Sequence, residues 1–148
     1  MSSGKDAEAA VLEAAAEDSP PPGFEMSRTR GPYTTHNGPF YHQVTEEGFW
    51  HGVRLKKRHC NSRGAAHGGM LMAFMDGVLA TAVFRATKRP AVTMRVNSDF
   101  LSSGKTGEWL QGTAEVTRVE GDVVFVRGHI ECEGRQVLSA SGVFKITG

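Results

Sequence analysis

The sequence predicts an α+β domain in which an antiparallel sheet of five to six strands wraps around one long central helix. Three observations predict it. From Gly68 onward the apolar positions Met70, Leu71, Phe74, Met75, Val78, Leu79, Ala82 and Val83 recur every three or four residues, which is helical spacing. That helix is apolar around most of its circumference, so a flat sheet would leave half of it wet and the sheet has to curl around it. The segments on either side are strand-like and separated by turn signals, as antiparallel strands are.

Residues 1–31 read as a mobile N-terminal arm and residues 32–148 as the folded domain. Within the arm, Ala7 to Ala16 can form a short exposed helix, which breaks at Ser19-Pro20-Pro21-Pro22-Gly23. Phe40 to Val44 and Gly48 to Lys57 read as strands, the second alternating Phe49, His51, Val53 and Leu55 against Trp50, Gly52, Arg54 and Lys56. A loop from Arg58 to Ala66 leads into the helix, which ends near Thr87, before Lys88-Arg89-Pro90. Four further strands follow at Ala91 to Leu101, Trp109 to Val119, Val123 to Glu131 and Gln136 to Ile146. The turns between them are Ser102-Ser103-Gly104, Glu120-Gly121-Asp122 and Glu133-Gly134-Arg135.

A chain of 148 residues suits one core, and a formal charge of +1 gives no reason to expect nucleic acid or an anionic membrane as the main partner. The charge is unevenly placed. Residues 1–25 carry a net −5, which leaves +6 for the remainder, a basic body suited to a small polyanionic ligand. Two cysteines, Cys60 and Cys132, make no disulfide framework, and no basic start leads into an apolar run, so a reducing cytoplasm is expected. The 17-residue run from Gly68 to Phe84 is at the short limit for a membrane span and contains Asp76, which points to a buried helix instead. His36, His42, His51 and His59 lack metal-ligand spacing, and no metal or other cofactor is expected.

The chemistry concentrates at His67-Gly68-Gly69 and Asp76. A helix start leaves backbone N–H groups without partners and adds the positive end of the dipole, and Gly68 and Gly69 leave close access to it. Such a site can hold an oxyanion, although Gly-Gly also serves a tight loop-to-helix junction. Asp76 is the only charge between His67 and Arg85. Burial among Phe74, Met75, Val78 and Leu79 would require hydrogen-bond partners or a cavity. It can then act as a base or nucleophile, or bond a neighbouring strand or subunit. Eight residues separate Gly68 from Asp76, about 12 Å along one helix axis. One helix cannot easily bring both to a single carbonyl, whereas two antiparallel copies across a twofold can. A homodimer with shared sites is the economical expectation.

The string Asn61-Ser62-Arg63-Gly64-Ala65-Ala66-His67-Gly68-Gly69, followed by Asp76, resembles the hotdog-fold thioesterases of the phenylacetic-acid-degradation (PaaI) type. The similarity runs from Gly38 to Phe144, including Val92-Thr93-Met94-Arg95-Val96 and Phe100-Leu101. The resemblance implies that Asn61 and the Gly68 N–H polarise a thioester carbonyl, that Asp76 activates water or attacks directly, and that Thr93 helps to hold that water. It makes His67 a positioning residue. Period two along the strand would put Thr93, Arg95 and Asn97 on one site-facing side, opposite Val92, Met94 and Val96. Coenzyme A is implied near strand ends and turns, with Gly69, Arg95, Phe100, Arg118 and Gly121 as candidate contacts.

The function expected is hydrolysis of an acyl-CoA thioester to a free acid and coenzyme A, by a homodimer that can pair further into a tetramer. Two alternatives share the scaffold. A hotdog acyl-thioester dehydratase or hydratase would use His as base and release no thiol, and a non-catalytic acyl-CoA binding protein would bind without turnover. The cluster Lys56-Lys57-Arg58 with Arg54 and Arg63 can attract an anion or simply be solvated. Cys60, with no activating base identifiable, is not expected to be a nucleophile.

Overall fold

The computed structural model describes residues 4–148. The elements are α1 (Gly4–Asp18), β1 (Glu25–Met26), α2 (Pro32–Asn37), β2 (Tyr41–Val44), β3 (Phe49–Arg54), α3 (Gly68–Thr87), β4 (Ala91–Phe100), β5 (Trp109–Glu120), β6 (Val123–Cys132) and β7 (Arg135–Ile146). The strands form one antiparallel sheet in the order β1-β2-β3-β5-β6-β7-β4. It has seven strands where the sequence suggests five or six. The additional one, β1, is only two residues long, too short for period two to show.

The sheet wraps α3, whose Leu71, Phe74, Met75, Val78, Leu79, Ala82 and Val83 are buried. By length and composition α3 could cross a bilayer; here these side chains pack against Val53, Leu110, Val124, Val126, Ile130 and Phe144 of the strands. Three inward-facing glycines on adjacent strands let the helix sit this close. A Cβ on Gly112, Gly128 or Gly142 would come within 3.1, 2.7 and 3.1 Å of Phe74, Met75 and Leu79 respectively. Side-chain bulk at those three positions would push the helix off the sheet.

The N-terminal segment is fastened to the outer face of the sheet. Residues 1–3 of the expected arm lie outside the described residues. Beyond them, α1 ends at Asp18, which is 1% exposed. The Asp18 carboxylate accepts from the Tyr41 hydroxyl at 2.6 Å and meets Lys56 Nζ at 2.6 Å. Arg54 donates to the carbonyls of Asp18 and Ser19 at 2.8 and 2.6 Å. Phe24 and Tyr41 pack on Trp109, with ring centroids 5.1 and 5.5 Å away. Trp109 lies over Gly52, where a Cβ would be 2.2 Å from the indole. Composition marks residues 1–31 as an arm because the tethers of Asp18, a single acid in an acidic stretch, come from residues far along the chain. Lys56 and Arg54, in the basic cluster, thus have partners within the chain.

One register shift decides what faces the helix. Strand β4 pairs Thr93 with Phe144 and then Arg95 with Val143, skipping Met94. Phe144 is buried against the core, so its partner Thr93 faces inward, while Arg95 and Asn97, paired with Val143 and Ser141, face outward. The expected common face of Thr93, Arg95 and Asn97 is therefore corrected: a one-residue bulge inverts the alternation between them.

Candidate active site

The loop before α3 is built around Asn61. Its Oδ1 accepts from the N–H groups of Arg63 at 2.9 Å and Ala65 at 3.2 Å. The loop is then pinned to the sheet side by Ala66 N–H to Gly104 O at 2.8 Å and to the preceding turn by His67 N–H to His59 O at 2.9 Å. With Oδ1 engaged, the Asn61 amide has its two N–H groups left to donate.

His67 caps α3. Its Nδ1 accepts from Gly69 N–H at 2.9 Å and its carbonyl from Leu71 N–H at 3.0 Å. A neutral ring therefore carries its proton on Nε2. Gly68, at the first helical position, has no acceptor within the helix for its own N–H. It is exposed, and a Cβ there would lie 3.6 Å from the Phe100 ring, so Phe100 flanks this donor.

Asp76 lies two turns further along on a half-exposed stripe with Met72, Ala73 and Ala80. Thr93 Oγ1 donates to its Oδ1 at 2.7 Å. The carboxylate is not enclosed by apolar side chains, as the sequence suggests, because this side of α3 is left open by the chain's own sheet. The structure brings Asp76 together with Thr93, and Gly68 with Phe100 and the capping residue His67, as two separate groups, while the contacts of the Asn61 side chain lie within its own loop. Arg95 and Arg118 belong to neither. They stand in one row on the outer face, through the pairs Arg95 with Val143, Val143 with Phe125 and Phe125 with Arg118. Arg118 bonds Glu120 at 3.1 Å, and Gly121 makes the adjoining turn with a positive φ of 62°.

A cavity of 420 Å3 reaches His67 and Gly69, with Phe40, Met70 and Phe74 in its apolar wall and Arg30, Asn37 and His59 also lining it. Sequence reasoning missed residues 30–40 as part of any site. The signal available was Gly31-Pro32, a helix start with proline in its first turn. His59 is buried and neutral: its Nδ1 accepts from Lys56 N–H at 3.0 Å, its Nε2 donates to Asn37 O at 2.7 Å, and burial pushes its pKa down. Cys60 is half-buried and receives Thr106 Oγ1 at 3.3 Å; Cys132 is buried, which pushes its thiol up to about 11.

His51, on the inner face of β3, is pushed down to about 3, first by burial and then by Arg30, His42 and Arg85. The folded protein keeps it neutral while the unfolded chain protonates near its ordinary value of 6.5. Stability is therefore unaffected by His51 above that value and falls as pH drops from 6.5 toward 3, by about 1.4 kcal/mol for each unit of separation. His51→Leu is expected to flatten the fall in thermal midpoint between neutral pH and pH 4; superimposable profiles for the two proteins would contradict this.

Residues 63–139 match the model of the thioesterase superfamily. PA0474 of Pseudomonas aeruginosa, whose name places it among the esterases, is 32% identical over 129 residues, covering 85% of this chain and 96% of that protein. The chain belongs to the thioesterase superfamily and is a thioester hydrolase with the hotdog fold. Among solved structures, BH2602 of Bacillus halodurans, determined with CoA, has a TM-score of 0.74 at 20% identity, covering 97% of this chain and 93% of that one. A mutant form of the phenylacetic acid degradation protein PaaI from Thermus thermophilus has a TM-score of 0.71 at 20% identity, covering 79% of this chain and all of that one.

Proposed function

We propose that the chain hydrolyses acyl-CoA thioesters as a homodimer with shared sites. Asp76 activates water, the Gly68 N–H and the Asn61 amide polarise the thioester carbonyl, Thr93 orients the carboxylate and His67 holds the helix start. The observation that carries this reading is the 2.7 Å bond from Thr93 to Asp76, which aims a carboxylate at open space away from the oxyanion donors of its own chain.

The dimer follows from that separation. Strand β4 is an edge strand, and Val92, Met94, Phe100 and Leu101 on and beside it are all more than half exposed. An apolar edge beside an uncovered helix stripe suits a second copy of the chain. Coenzyme A as the thiol is supported by the fold shared with BH2602, a structure determined with CoA.

The test is thiol release, read by a disulfide dye, across aryl-, short-, medium- and long-chain acyl-CoAs. At least one of these is expected to turn over at catalytic protein concentrations. Tight binding without thiol release from any of them would identify an acyl-CoA binding protein, and reversible hydration of an enoyl thioester would identify a hydratase.

A further inference from the structure

We propose that the 420 Å3 cavity beside the start of α3 takes acyl groups that end in a carboxylate, with Arg30 as its partner. This rests on the hydrolase reading of the same site and adds its substrate class.

Arg58, which shares this cavity, donates to Gly38 O, and Arg28, which lines the neighbouring cavity with Arg30, forks onto Glu8 at 2.9 and 3.3 Å. Among the described residues, none pairs with the Arg30 guanidinium. Arg30 is half-buried and lines two cavities, and neither includes an acidic side chain. Burial lowers its pKa, and no carboxylate offsets that. Its field also bears on His51, as does that of Arg85.

A guanidinium partly removed from water and left without an anion is costly, and a bidentate carboxylate is the partner whose geometry it matches. The remaining lining says how that carboxylate arrives. The cavity touches His67 and Gly69 beside the oxyanion donors, and Phe40, Met70 and Phe74 give it apolar wall. An acyl chain with its thioester at the helix start and its far end charged satisfies both. A coenzyme A phosphate offers the same charge from the other end of the substrate.

The experiment compares glutaryl-, adipyl- and suberyl-CoA with pentanoyl-, hexanoyl- and octanoyl-CoA. For at least one matched pair kcat/KM is expected to favour the carboxylated substrate by about tenfold or more. In Arg30→Met that ratio should fall to near one, and in Arg30→Lys it should be partly kept. Inhibition by free coenzyme A is measured alongside. A ratio unchanged by Arg30→Met overturns the proposal, as does an equal loss for both substrates of a pair with weaker inhibition by coenzyme A, which would put Arg30 on a phosphate. Binding of adipyl- and hexanoyl-CoA to Asp76→Asn reads the same preference without turnover. A carboxylate preference in that binding, together with a wild-type protein that releases no thiol from any of the six substrates, would keep this proposal and sink the hydrolase reading alone.

Discussion

Asp76→Asn is expected to lower thiol release by about 10²–10⁴-fold, the usual worth of a positioned general base, while leaving the fold and the binding of acyl-CoA in place. The carboxamide keeps the shape and can still accept from Thr93, which now stands 2.7 Å from Oδ1, but it cannot take a proton from water. Thr93→Val should cost less, since it frees the carboxylate without removing it. The stronger test concerns which chain supplies what. Asp76 and Gly68 lie on the same helix, α3, about 12 Å apart by helical rise. Gly68→Val blocks the oxyanion donor, and a mixture of the Gly68→Val and Asp76→Asn proteins, refolded together in equal amounts, forms mixed dimers. In these, one of the two sites combines an intact Gly68 with an intact Asp76. Activity should return to about one quarter of the wild-type value if sites are shared across a twofold, and a mixture as inactive as its components would place both residues in one protomer's site.

Asp18→Ala is expected to destabilise the protein by about 3–5 kcal/mol, because it leaves a half-buried lysine and a buried hydroxyl without their common partner. The carboxylate is 1% exposed and touches Lys56 Nζ and the Tyr41 hydroxyl at 2.6 Å each. Tyr41 keeps its proton as the donor: burial, and then the bond to Asp18, push its pKa well above the ordinary tyrosine value. Removing Lys56 together with Asp18 should cost less than the two single losses added, since the pair is coupled. Urea unfolding measures both, and a loss for Asp18→Ala within half a kcal/mol of zero would show that the Asp18 carboxylate contributes nothing to the stability of the fold.

The parts of the fold that were legible in the sequence are those with a period. Helix α3 runs from Gly68 to Thr87 as its apolar spacing requires, and six of the strands fall within a few residues of their alternating or β-branched segments. What escaped depends on contacts between distant residues. Nothing in Ser19-Pro20-Pro21-Pro22 announces that Asp18 is bound by Lys56, or that Gly52 is a glycine because Trp109 lies against it. The sequence marks Asn61 to Gly69 as a loop leading into a helix start, and the structure supplies its mechanics: Asn61 ties the loop and His67 caps the helix. Arg30 escapes the sequence because α2, the helix it leads into, is six residues long, too short for helical periodicity to reveal.

The skipped residue at Met94 gives strand β4 a kind of parity. Before it, odd-numbered side chains look toward α3; after it, odd-numbered side chains look toward solvent, so a single strand serves two environments without reversing direction. Losing Met94 alone would close the bulge and keep every downstream pairing, from Arg95 with Val143 to Phe100 with Leu138. The bulge thus lets Thr93 and Phe100 both face α3, where an unbroken strand would set an odd and an even position on opposite sides.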